Sequence, residues 1–169
     1  MEESDMKSLD QSMQEYHAQL KKGSIQPAYR GLMEYMAALR TRLQEKHPEY
    51  AVSGSIYQGY MDMTYFALTP QSLKERGLKV AVVFVHEAFR FEVWLAANNK
   101  QLQKKYWELL KERGWDKYPL VPTTDGADAI LEHVLVENPD FNNLDALTSA
   151  IETGTMRFIA EVETFVTNA

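Results

Sequence analysis

The chain has 169 residues, 24 acidic and 18 basic side chains, a formal net charge of −6 and no cysteine. The absence of cysteine excludes disulfides, thiolate chemistry and zinc sites built on Cys ligands. The acidic balance argues against a nucleic-acid backbone as the main partner.

Hydrophobic residues at 45% and charged residues at 25% are ordinary for a globular protein, and the length suits one domain. The longest apolar run, Val80 to Val85, is far too short to span a membrane and fits a buried strand. An acidic N-terminus without a following apolar segment is unlike a signal peptide, so a cytoplasmic location is expected. Charge is uneven: residues 97–117 hold six basic and three acidic side chains, whereas residues 125–169 hold nine acids and Arg157. The two regions could meet within the monomer or across a homodimer, or stay as separate solvated faces.

In chain order, residues 5–22 read as a helix with Leu9, Met13, Tyr16 and Leu20 on one face, capped by Ser4 and closed by Gly23. A second helix over 26–46 carries Ile25, Tyr29, Leu32, Met36, Leu39 and Leu43 as its apolar stripe. The short connection makes the two a helical hairpin. Gly31 inside the second helix marks either a close backbone approach or a tolerated defect. Strand composition follows at 51–57 and 60–68, with Gln58-Gly59 as the turn, and then a helical turn from Pro70 to Gly77.

Residues 79–96 exceed one strand and divide at His86-Glu87-Ala88. The first half is apolar on both faces, hence central. The second alternates Phe89, Phe91, Val93 and Leu95 with Arg90, Glu92 and Trp94. A helix over 99–113 is capped by Asn98 with Gln101 and closed by Gly114. Residues 127–136 fit a helix or a strand, the strand pairing with 118–122. A last helix spans 143–166, with Gly154 as a bend. The expected fold is α+β: an N-terminal helical hairpin, a largely antiparallel sheet of four to six strands, and C-terminal helices on that sheet.

Polar residues with chemical potential gather in the β-region. Asp62 is placed mid-strand; Arg90, Glu92 and Trp94 share a strand face; His86 and Glu87 sit at its turn. A buried carboxylate must be paired, and Arg90 is the natural partner. Two readings follow. One is a structural ion pair. The other is a pocket of Asp62, His86, Glu87, Arg90 and Glu92 walled by Tyr60, Tyr65 and Trp94, suited to a small anionic or planar ligand. Asp62 with Glu92 also suggests a nuclease-like hydrolase, but Trp94 stands where such sites need a lysine. The four histidines lack metal-site spacing, and no phosphate loop or nucleophile elbow is present, so no cofactor is implied.

The segments Gly59–Phe66, Phe89–Leu95 and Val136–Phe141 resemble an uncharacterised bacterial family, a domain of unknown function found as small stand-alone proteins. The resemblance covers nearly the whole chain. It implies a bacterial cytoplasmic protein and assigns no catalytic or binding residue. Two functional classes therefore stand: a non-enzymatic binding or interaction protein using an aromatic-lined sheet face, and a hydrolase or degenerate nuclease-related domain using Asp62 and Glu92.

Overall fold

The computed structural model describes residues 6–168. It divides into two compact units, Met1–Ala38 and Leu39–Ala169. In the first unit, helix α1 spans Leu9–Lys21 and helix α2 begins at Ile25, running to Lys46 across the unit boundary. Ser8, not Ser4, caps α1: its hydroxyl accepts from the Gln11 N–H while the Gln11 side chain accepts from the Ser8 N–H. Ser4 lies outside the described residues. The apolar stripe of α1 is real but faces solvent, with Leu9, Met13 and Tyr16 exposed and no residue of the helix buried. Along α2, Leu32, Tyr35, Met36, Leu39 and Leu43 are buried.

The second unit is built on a five-stranded antiparallel sheet in chain order. Its strands are β1 (Ala51–Val52), β2 (Met63–Thr69), β3 (Leu78–Val85), β4 (Arg90–Ala97) and β5 (Leu131–Glu137). β3 is central, as its two apolar faces require. The β1–β2 connection is longer than a two-residue turn: backbone pairing resumes at Tyr57 opposite Tyr65, and residues 58–62 form the turn. Of residues 127–136, those from Leu131 onward resolve as strand, pairing chiefly with β4 and meeting the 118–122 segment through Leu120 opposite Leu131, while 127–130 are irregular.

Helix α3 (Gln71–Lys74) follows β2, and α4 (Lys100–Glu112) follows β4. Asn99 rather than Asn98 caps α4, accepting from the Leu102 N–H. The closing helix α5 (Leu144–Thr167) packs on the sheet face carrying Phe66, Val93 and His133, where Phe158 stacks parallel to the His133 ring at 6.4 Å. Leu144, in its first turn, is exposed. Acidic α5 meets the end of α2, through Arg42 and Lys46 on Glu152, and also the end of the basic 97–117 segment, where Trp115 packs on Phe165. No helix among the described residues is long and apolar enough to cross a membrane.

Two glycines separate by environment. A Cβ at Gly31 meets nothing within 4 Å, so this glycine is a helix defect and not a close approach. A Cβ at Gly154 stands 2.6 Å from Leu135 Cδ2, so this glycine lets α5 lie against β5. Gly31→Ala is therefore expected to raise the unfolding free energy by roughly 0.5–1 kcal/mol. Gly154→Ala falls short of that gain because Leu135 must move; denaturant midpoints of the two variants measure the difference.

Candidate functional site

β4 meets β5 through a bulge between Phe91 and Glu92. The shift sets Glu137 opposite Arg90 and Val134 opposite Glu92, leaving Leu135 as the extra residue, turned to Gly154. Around it, Arg90 Nε donates to Glu92 Oε2 at 2.9 Å, Trp94 Nε1 donates to Glu92 Oε1 at 2.9 Å, and Arg90 Nη1 donates to Glu137 Oε1 at 3.2 Å. The Glu92 side chain is only 5% exposed, so both carboxylate oxygens find donors inside the protein. The arrangement is a closed ion cluster on the sheet surface.

Asp62 is not part of it. β2 begins one residue later, and Asp62 sits in the preceding turn, exposed, with Oδ1 accepting from the Tyr60 and Met63 N–H groups. Those two backbone donors, Tyr60 first, hold its carboxyl below the usual carboxylate range. The mid-strand placement is thus corrected: the short Asp side chain folds back on its own backbone and makes the turn. In the sheet register, Glu92 faces Val83 and Val83 faces Tyr65, so Asp62 lies two strands away and three positions further along. Among the described residues, no group of three or more His, Asp or Glu side chains is placed to hold a metal ion.

The other expected residues spread around the same end of the sheet. His86 Nε2 lies 2.8 Å from Thr64 Oγ1, and the backbone N–H of His86 donates to the Asp62 carbonyl. Glu87 is exposed in the β3–β4 turn, Tyr60 is 92% exposed, and Tyr65 stacks on Tyr57 at 4.8 Å. Three turns or strand ends converge here, and each holds a non-glycine residue at positive φ: Met61 (62°), Phe89 (54°) and Asn138 (47°). A side chain with a Cβ is uncommon in this region, especially one as bulky as Phe. The same end exposes Tyr60, Met61, Phe89, Phe141 and Leu144. Phe84 anchors the aromatic part, with ring centroids 5.4 Å from Phe89, 5.0 Å from Phe91 and 6.3 Å from Phe141. Acidic Asp62, Glu87, Glu137 and Asp140 surround it, all exposed. Segments 59–66, 89–95 and 136–141 all reach this end or run from it.

A concave region elsewhere in the second unit was not legible in the sequence. A cleft of about 880 Å³ lies between residues 117–118, His133 of β5 and one face of α5. Its α5 wall is a row at four-residue steps, Ser149, Thr153, Arg157 and Glu161, and Ala150 and Gly154 form the small-residue row beside it. Arg157 Nε donates to Glu161 Oε1 at 3.3 Å. The Tyr118 hydroxyl also bonds Glu161, and burial together with that bond pushes the phenol up to about 12. The same bond, then Arg157, holds the Glu161 carboxyl below its ordinary range. The Tyr118 ring packs 4.4 Å from His133 and 5.0 Å from Phe158. The lining comes from three separated segments, which is why no local motif announces it. The four-residue row on α5 is the trace that a helical projection of the sequence contains.

Two outcomes test these placements. Glu92→Ala leaves Arg90 and the Trp94 indole N–H short of an acceptor and is expected to cost about 2–3 kcal/mol in a denaturant titration. Burial depresses the affinity of both His86 and His133 for protons, against the pull of Asp62 on His86 and of Glu161 on His133. Protons then favour the unfolded chain, in which histidine keeps its ordinary value of 6.5, so stability declines as pH falls below that value. A His86→Gln, His133→Gln double variant is expected to flatten the decline between pH 7.5 and 5.5.

No curated protein and no solved structure matches the chain. The model of the family Domain of unknown function (DUF7000) matches residues 9–166, which include all of the candidate sites above. The chain belongs to the DUF7000 family.

Proposed function

We propose that this is a cytoplasmic, non-enzymatic interaction protein that holds a basic, apolar polypeptide segment at the aromatic end of its sheet. The supporting observation is the convergence of exposed Tyr60, Met61, Phe89 and Phe141 on turns whose backbone is held at positive φ. Apolar side chains presented together at one site favour a partner, because their burial on binding is worth about 25 cal/mol per Å². Backbone in a sparsely populated region persists only where its surroundings fix it, and such positions concentrate at binding sites. Asp62, Glu87, Glu137 and Asp140 give the rim a negative sign, while Arg90 is already engaged by Glu92 and Glu137. That balance selects a partner that brings cations with its apolar groups. The absence of cysteine supports the compartment.

The hydrolase alternative on Asp62 and Glu92 draws no support from the geometry. One carboxylate caps its own turn and the other is saturated by Arg90 and Trp94.

Fluorescence anisotropy with a labelled amphipathic lysine–leucine peptide tests the proposal. Wild-type protein is expected to bind it saturably, more weakly as salt rises. A Tyr60→Ser, Phe89→Asn double variant, in which Asn still tolerates the left-handed backbone, is expected to lose at least about tenfold in affinity. Equal affinity of the double variant, or equal binding of a glutamate–leucine peptide, rejects the assignment.

A further inference from the structure

The basic segment before β5 and the acidic last third meet at the cleft along α5. Lys117 reaches it from the basic segment, and Arg157, the one Lys or Arg after residue 125, reaches it from the helix. Glu161 is the acid of the lining, and it is occupied on its own side by the Tyr118 hydroxyl and by Arg157 Nε. The two terminal nitrogens of Arg157 make no hydrogen bond among the described residues. One cationic charge beyond balance therefore remains, on groups suited to an oxyanion: a planar guanidinium fork and an ammonium.

Neutral donors stand beside them. Ser149 and Thr153 occupy the two positions four and eight residues before Arg157, on the same helical row, and both are exposed to the cleft. Gly154 and Ala150 keep the floor free of bulk, and the rings of Tyr118 and His133, tilted 47° to each other, supply an aromatic wall. The volume, about 880 Å³, is within the usual ~300–1,000 Å³ of sites for whole small organic molecules and far exceeds an inorganic ion.

From this geometry we infer that the cleft is a binding site for a small organic oxyanion, a carboxylate or phosphate ester carried on a planar body. Arg157 and Lys117 hold the oxyanion, Ser149 and Thr153 donate hydroxyl hydrogen bonds to it, and the planar body lies along Tyr118 and His133. The site is separate from the aromatic end of the sheet and shares no residue with it.

Isothermal titration of the full chain with 2-naphthoate and 2-naphthyl phosphate tests the inference, with neutral 2-naphthylmethanol and inorganic phosphate as controls. Saturable 1:1 binding of at least one naphthyl anion is expected, with the neutral alcohol and inorganic phosphate each about tenfold weaker or worse. The stronger of the two anions identifies the oxyanion. Arg157 is 78% exposed, so Arg157→Ala leaves the fold intact by circular dichroism while weakening binding at least about tenfold. Arg157→Lys restores part of that loss, and Lys117→Ala weakens binding several-fold. Failure of both anions to bind at millimolar concentration, equal binding of the alcohol, or an Arg157→Ala variant with unchanged affinity overturns the inference. Because Tyr60 and Phe89 are absent from the cleft, the double variant at the sheet end leaves these affinities unchanged.

Discussion

Strand β3 sets the conditions that the rest of the second unit satisfies. Leu78, Val80, Val82 and Phe84 point to one face and Ala81 and Val83 to the other, and none is more than 4% exposed. A strand apolar on both sides must have neighbours along both edges and cover over both faces. β2 and β4 supply the edges, and α5 supplies cover over the Val82 face. On the Val83 face, the flanking positions on β2 and β4 are Tyr65 and Glu92. Glu92 is consequently buried by its place beside a central strand, and the cost of desolvating its charge accounts for its two tight donors.

The cluster around Glu92 also explains how the sheet is trimmed at its far edge. Arg90 is long enough to serve Glu92 and a second acid, and the bulge in the β4–β5 pairing puts Glu137 in reach. The extra residue of that bulge, Leu135, packs against the glycine of α5. Sheet irregularity, ion cluster and helix position are thus one linked arrangement. It fixes where α5 lies, and hence where its row of Ser149, Thr153 and Arg157 comes to face Tyr118 and His133.

Much of the fold was legible from local rules, and the misreadings have local causes. Strand composition located β3 and β4 and the turn between them, because an apolar run bounded by polar turn residues has few other solutions. Helix caps were displaced, Ser4 for Ser8 and Asn98 for Asn99, because each stretch offers two residues of the same capping type and only backbone geometry chooses between them. Asp62 was misplaced because strand composition flanks it on both sides. An aspartate that caps its own turn has the same sequence context as one inside a strand. For the candidate sites, the sequence showed Arg90, Glu92 and Trp94 on one face, since alternation along a strand is a property of the backbone. Glu137 joined them only through strand pairing.

The sequence by itself determined the α+β class, the central position of β3 and the shared face of the Arg90 cluster. These follow from periodicities of two and 3.6 residues, which are written in consecutive residues. Tertiary structure alone decided that Asp62 stands apart from Glu92, that aromatic turns gather at one sheet end, and that Lys117, His133 and Arg157 line one cleft. Those juxtapositions depend on strand register, on a bulge and on the approach of a helix over a glycine. Each is set by packing between segments distant in the chain, and packing of that kind leaves no local period to read.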